Sequence, residues 1–205
     1  MPLSVFDRAR RAGLMLALMA AAPAFAQDVS WAQWGIDPSV LAADGRDLLR
    51  RAPDASIDGL FQAVHASAQS PQDARVLCTL FDPQAERSIA GYNAIAAQLG
   101  EASRTHFATA VADLVIAAAQ SPRQPFDAAT AQQALKAAGV RAALLDDGFV
   151  AGLNGGDHDA RCRSVGALLD AVQARPLAER AAVTRLLLSE GLNYLAAANA
   201  GPGTR

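Results

Sequence analysis

The sequence predicts an all-α fold, a single compact bundle of about eight helices. Apolar residues recur at helical spacing along most of the chain, and no segment shows the sustained apolar–polar alternation of a half-buried strand. Three pairs place a side-chain acceptor directly before a proline, which is typical of a helix N-terminus. These pairs are Asp37-Pro38, Ser70-Pro71 and Asp82-Pro83.

Residues 1–26 have the pattern of a secretory signal peptide. Three arginines precede a short apolar run over 13–22, and Ala24 and Ala26 supply the small residues of a cleavage site. The run is shorter than the roughly 20 apolar residues that a transmembrane helix needs. We therefore expect cleavage at about Ala26 and a periplasmic or secreted protein with no transmembrane segment.

The first half of the remaining chain contains segments with one apolar stripe each, which predicts amphipathic helices. In chain order, the first segment begins at Asp37-Pro38, the second covers about 56–68, and the third includes Leu77 to Phe81. The fourth covers 83–99 and stops at Gly100, and the fifth covers 102–120. The helix over 102–120 is the most apolar of the set, so we expect it at the centre of the core.

The second half predicts four more helices. They cover 128–138 with an end at Gly139, 140 to about 153, 158–174, and 177–198. Asp127 and Asp157 precede two of them as N-cap residues. No linker divides the chain, so residues 27–200 are predicted to form one helical domain, and 201–205 a disordered tail.

The charge balance disfavours a nucleic-acid partner. The chain has 18 basic and 20 acidic residues, and removal of residues 1–26 takes away three arginines and one aspartate, leaving 15 and 19, a net charge of −4. Binding to phosphates requires a clustered excess of lysine and arginine. Binding to anionic lipid headgroups is disfavoured for the same reason.

The chain has two cysteines, Cys78 and Cys162. In an oxidising compartment such a pair predicts one disulfide. A bond that closes a loop of this length stabilises the fold by about 4–5 kcal/mol in the chain-entropy model. It would also tie an early helix to a late one in a core rich in small alanine side chains.

Two tryptophans, Trp31 and Trp34, lie three residues apart near the predicted new N-terminus. On a helical turn they would form one aromatic face, and tryptophan is favoured as an anchor in partner recognition. The alternative is that they dock this segment onto its own domain, because large apolar side chains are normally buried.

One local cluster has the residue types of a metal site. His158 and Cys162 are four residues apart and share a helix face, with Asp157 and Asp159 beside them. Zinc requires further donors, and the chain has no second Cys/His pair at ligand spacing. We expect Asp157 to cap the helix, Asp159 to complement the helix dipole, His158 to be exposed and Cys162 to be bridged. No metal or cofactor is therefore predicted.

No catalytic motif occurs in the sequence. We therefore expect an exported, non-catalytic binding or interaction protein of the bacterial envelope, whose partner is an envelope protein or peptide. Its surface should have a groove with a contiguous apolar patch, for which the neighbourhood of Trp31 and Trp34 is the candidate place. The alternative is a small periplasmic hydrolase or metal-dependent enzyme with a site assembled in space. Its candidate residues are His65, His106, His158, Asp113, Asp157 and Asp159. A third possibility is a purely structural component of the envelope, which would have neither a groove nor such a cluster.

Overall fold

A computed structural model describes residues 38–82, 85 and 88–199, which form nine α-helices, one 3₁₀ turn and no strand. The predicted all-α bundle is confirmed. The helices are α1 (Pro38–Arg51), α2 (Asp54–Ala68), α3 (Pro71–Cys78), α4 (Ile89–Gln98), α5 (Glu101–Gln120), α6 (Ala128–Leu145), α7 (Phe149–Asn154), α8 (His158–Gln173) and α9 (Leu177–Asn199). The 3₁₀ turn Thr79–Phe81 follows α3. The predicted signal peptide, Trp31, Trp34, the predicted N-cap Asp37 and the predicted tail lie outside the described residues.

Helix starts follow the predicted capping chemistry at three positions. Ser70 accepts from the Asp73 amide at 3.5 Å, and Asp127 accepts from the Ala129 amide at 2.9 Å. Asp157 accepts from the Ala160 amide at 2.6 Å. Each bond satisfies an amide that the helix leaves without a partner in its first turn.

The predicted start of a helix at Pro83 is wrong. Ala85 is not helical, and α4 begins at Ile89. Ser88 precedes this helix and accepts from the Gly91 amide at 3.0 Å. The serine thus supplies the N-cap that the sequence analysis assigned to Asp82.

The predicted end of a helix at Gly139 is also wrong, because α6 continues to Leu145. Its packed face consists of alanines at helical spacing on both sides of the glycine, and this packing outweighs the roughly 1 kcal/mol helix penalty of glycine. The helix ends instead at a turn in which Asp146 accepts from the Gly148 amide at 2.9 Å. The buried alanines are Ala131, Ala134, Ala138 and Ala142.

The centre of the core is α9 rather than α5. Helix α9 packs against α1, α2 and α6 and buries Ala181, Val183 and Leu186. In contrast, α5 buries only two apolar side chains, Leu114 and Ala118. Helix α5 packs mainly on α1 and α2, whereas α9 packs on three helices, so the position in the bundle rather than the apolar content decides how much of each helix is buried.

Two apolar clusters share α2 and α9. One joins α1, α2, α5 and α9, and the other joins α2, α6, α7, α8 and α9. Helix α7 lies so close to α8 that a Cβ on Gly152 would stand 2.6 Å from the Ala160 carbonyl oxygen. This approach fixes the position of the short α7 helix, which bears on the surface described below.

The predicted disulfide is confirmed, with the Cys78 and Cys162 sulfurs 2.01 Å apart. It joins the last residue of α3 to the first half of α8, two helices that also pack together. Over the described ranges, no helix has the length and apolar content needed to cross a lipid bilayer.

Candidate functional site

Helix α6 buries four alanines and exposes three of its four large apolar residues, and the fourth, Leu135, is half-buried against the core. The buried face is made of alanines, whereas Val140, Leu144 and Leu145 are 61%, 79% and 75% exposed. Val140 and Leu144 are four residues apart and therefore lie on one stripe. A surface helix normally shows the opposite arrangement, with its large apolar residues toward the core.

Helix α7 continues this pattern after the turn. Phe149 and Gly152 are buried, whereas Val150 and Leu153 are exposed and three residues apart. We call the five exposed side chains of the two helices the α6–α7 corner. They are Val140, Leu144, Leu145, Val150 and Leu153.

Charged residues accompany the α6–α7 corner. Arg141 is exposed on α6, and Asp147 is exposed in the turn that follows. Large exposed apolar side chains with polar neighbours are typical of surfaces that bind another protein. Each such side chain contributes about 1.5–3 kcal/mol when it is fully buried. This surface is therefore suited to binding an apolar surface of another molecule.

The three histidines belong to three different helices. His65 on α2 lies 2.8 Å from Asp170 of α8 and stacks on Phe61. His106 is exposed on α5, as is Asp113. His158 begins α8 beside the disulfide.

The His65–Asp170 pair links two helices. The His65 side chain is 18% exposed and the Asp170 side chain 64% exposed. Gln69 also donates to Asp170 at 3.3 Å. No local pattern indicates Asp170, because the aspartate is 105 positions from His65 and only the packing of α2 on α8 brings the two together.

The aspartates beside His158 are both exposed. Asp157 caps α8, and Asp159 stands in the first turn of that helix. These are the structural positions expected from the sequence. His158, by contrast, is half-buried rather than exposed, because its ring lies against the disulfide, with Nε2 3.4 Å from the Cys162 sulfur.

The disulfide and His158 form the one group of three or more metal-ligating side chains that converge within the described part of the chain. Their ligand atoms lie within 4.8 Å of one another. Sequence spacing identified His158 and Cys162 but could not add Cys78 as a third donor, because α3 brings it from 80 positions away.

An open surface concavity of about 480 Å³ adjoins this group. It is lined by Arg75, Asp159, Cys162 and Arg163. The Cys162 side of the disulfide is therefore reachable from solvent, whereas Cys78 is buried.

Paired charges elsewhere join one helix to another and one helix to the loop that follows α5. Asp58 on α2 receives two hydrogen bonds from Arg180 on α9, at 2.7 and 2.8 Å. This bidentate contact raises the pKa of Arg180 above its usual range. Asp47 on α1 is bound by Arg123, and that hydrogen bond lowers the pKa of the carboxyl group.

Comparisons with protein families, with characterised proteins and with solved structures find no match to this chain.

Proposed function

We propose that this chain is an exported, non-catalytic interaction protein of the bacterial envelope that binds an amphipathic helix of a partner protein at the α6–α7 corner. The observation that carries the proposal is that α6 packs on the core mainly through alanines and exposes Val140, Leu144 and Leu145. The presence of valine and leucine on the outer stripe is explained by a partner that covers it.

The spacing of the exposed side chains favours a helical partner. Val140 and Leu144 on α6, and Val150 and Leu153 on α7, follow the i,i+4 and i,i+3 rows that form ridges on helix surfaces. Such ridges pack into the grooves of another helix. Recognition of this kind depends on a few apolar anchors and on a polar rim.

The binding proposal is tested by affinity capture from envelope extract with three forms of the protein. The wild type is compared with Leu144→Ser, which removes an apolar anchor, and with Leu177→Ser, a matched change at an exposed leucine outside the corner. We expect a protein that is retained by the wild type and by Leu177→Ser and is depleted about tenfold or more with Leu144→Ser. Equal retention by the two variants would contradict the proposal.

The identity of the bound segment provides a second test. A synthetic peptide with the sequence of the captured amphipathic helix should bind the purified protein and should lose affinity for Leu144→Ser. A partner that proves to be a second copy of the chain would also contradict the proposal.

Export is tested separately. The proposal rests on the basic, apolar and small-residue pattern of residues 1–26. Expression of the full chain in a Gram-negative host should yield a periplasmic product whose mass corresponds to a chain that begins at Gln27. An intact N-terminus on cytoplasmic material would count against export.

A further inference from the structure

Three soft or borderline ligands converge where α3 meets α8. Cys78 ends α3, and His158 and Cys162 share one face of α8. The two sulfurs and a histidine nitrogen lie within 4.8 Å of one another. In the described fold the sulfurs are joined as a disulfide, so they are not available as thiolate ligands.

We propose that reduction of this disulfide converts the same three residues into a binding site for one Zn²⁺ ion. Thiolate sulfur and imidazole nitrogen are the donors that zinc prefers in proteins. The chain would then exist in two mutually exclusive forms, an oxidised disulfide form and a reduced metal form. The proposal does not depend on the α6–α7 corner.

The chemical steps balance with a dithiol as the reductant. The dithiol passes two electrons and two protons to the Cys78–Cys162 bond, which gives two protein thiols, and the dithiol becomes a disulfide. Zinc then binds both sulfurs as thiolates and releases the two thiol protons to solvent. His158 coordinates as the neutral imidazole, so it adds a ligand without further charge.

One ligand distance already suits a tetrahedral ion, and the two sulfurs, which are 2.01 Å apart in the disulfide, must move apart on reduction. Zinc–sulfur bonds of about 2.3 Å and zinc–nitrogen bonds of about 2.0–2.1 Å place two ligand atoms about 3.6 Å apart. The His158 nitrogen and the Cys162 sulfur are already 3.4 Å apart. This pair of ligand atoms therefore already has nearly the spacing that zinc requires before the disulfide is reduced.

Burial and access also fit the proposal. Cys78 is 2% exposed and anchors the site, whereas Cys162 faces the open concavity. Arg75, Asp159 and Arg163 line that concavity, so charges of both signs surround the opening. The opening gives the ion a path of entry and leaves space for water as the fourth ligand, an arrangement found at open zinc sites.

The experiment uses the full chain, reduced without oxygen by a phosphine, with Co²⁺ as a spectroscopic substitute for zinc. We expect one Co²⁺ per chain, an absorbance band from charge transfer between thiolate and cobalt, and loss of that band when Zn²⁺ is added. The oxidised chain should show no band. Absence of the band from the reduced wild type would overturn the proposal.

Variants separate coordination from nonspecific binding. His158→Ala should weaken Co²⁺ binding at least about tenfold, whereas His106→Ala, at an exposed histidine of α5, should leave it unchanged. The double variant Cys78→Ser/Cys162→Ser should give no thiolate band. Binding by His158→Ala as tight as that of the wild type would overturn the proposed ligand set.

If reduction partly unfolds the chain, circular dichroism provides the test. Helical signal that is lost on reduction should return when Zn²⁺ is added, because the ion joins α3 to α8 again. A reduced chain that stays unfolded in the presence of excess Zn²⁺ would also overturn the proposal.

Discussion

Arg185 is a buried cation that closes the C-terminus of a neighbouring helix. Its guanidinium donates to the carbonyl oxygens of Leu49 and Ala52 at the end of α1 and to the carboxylate of Asp54. The side chain is 2% exposed. A helix C-terminus has carbonyl groups without hydrogen-bond partners and carries a partial negative charge. Arg185 donates hydrogen bonds to these carbonyls and places a positive charge beside them.

Replacement of Arg185 by methionine should lower the free energy of unfolding by about 3 kcal/mol, because buried carbonyls lose their hydrogen bonds while most of the packing volume is kept. Urea denaturation measures the change. Arg141→Met, at an exposed arginine of α6, is the control and should change the unfolding free energy by less than about 0.5 kcal/mol. Equal effects of the two substitutions would show that Arg185 has no capping role.

Two helical glycines differ in what surrounds them. A Cβ on Gly152 would stand 2.6 Å from the Ala160 carbonyl oxygen, whereas a Cβ on Gly139 would meet nothing within 4 Å. Gly139→Ala should therefore stabilise the protein by about 0.4–1 kcal/mol. Gly152→Ala should destabilise it by about 1–3 kcal/mol, because α7 must move away from α8. Thermal unfolding of both variants distinguishes the two environments, and a stabilised Gly152→Ala would contradict the close α7–α8 contact.

At the scale of elements, α5 is capped by a residue of another helix. The Asp73 carboxylate on α3 accepts from the Gly100 amide at 2.8 Å and from the Ser103 hydroxyl at 2.6 Å. The hydroxyl bond, followed by the amide bond, lowers the pKa of Asp73. The start of α5 is thus held by an ionised carboxylate rather than by a side chain of its own.

This contact predicts acid sensitivity. A carboxyl group whose pKa is lower in the folded state stabilises the fold above the unfolded pKa of about 4, and that stabilisation is lost as pH falls through the folded pKa. Asp73→Ala should therefore destabilise the protein at neutral pH, and its difference from wild type should shrink on acidification. Denaturant unfolding across this pH range measures the difference, with Asp113→Ala, an exposed site on α5, as control. A difference that stays constant with pH would refute the role of ionised Asp73.

Elements predicted from local signals are largely correct, and those that depend on tertiary packing are not. The caps at Ser70, Asp127 and Asp157 act within one helical turn, so the sequence alone reveals them. Gly139 was predicted to end a helix because glycine is a common terminator, but packing of the buried alanines on other helices continues α6 through it. The Asp73 cap crosses 27 positions, so no local pattern indicates it.

The candidate sites also divide into features that local sequence patterns predict and features that depend on tertiary packing. The even number of cysteines and the predicted oxidising compartment indicated the Cys78–Cys162 disulfide. The four-residue spacing on a helix placed His158 beside Cys162. The α6–α7 corner was not predicted, because the apolar content of α6 does not reveal which side faces the core. Only the packed fold shows that its alanines are inside and that Leu144 is outside.

At the scale of the whole molecule, one covalent bond closes a loop of 84 positions. The double variant Cys78→Ala/Cys162→Ala should lose about 4–5 kcal/mol of stability, because the unfolded chain regains the conformational freedom that the bond removes. For a domain of this size the midpoint of thermal unfolding should fall by roughly 10–15 °C. Calorimetry under non-reducing conditions measures the shift, and a midpoint within about 2 °C of wild type would refute the stabilising role.

We propose that a partner covers the α6–α7 corner in the cell, and the proposed function depends on this contact. Site-specific photo-crosslinking tests it most directly, with a photoreactive side chain at position 144 and, as control, at exposed position 106. We expect a crosslink from position 144, mapped by mass spectrometry to one amphipathic helix of an envelope protein, and no such product from position 106. The same products from both positions, or none from position 144, would contradict it.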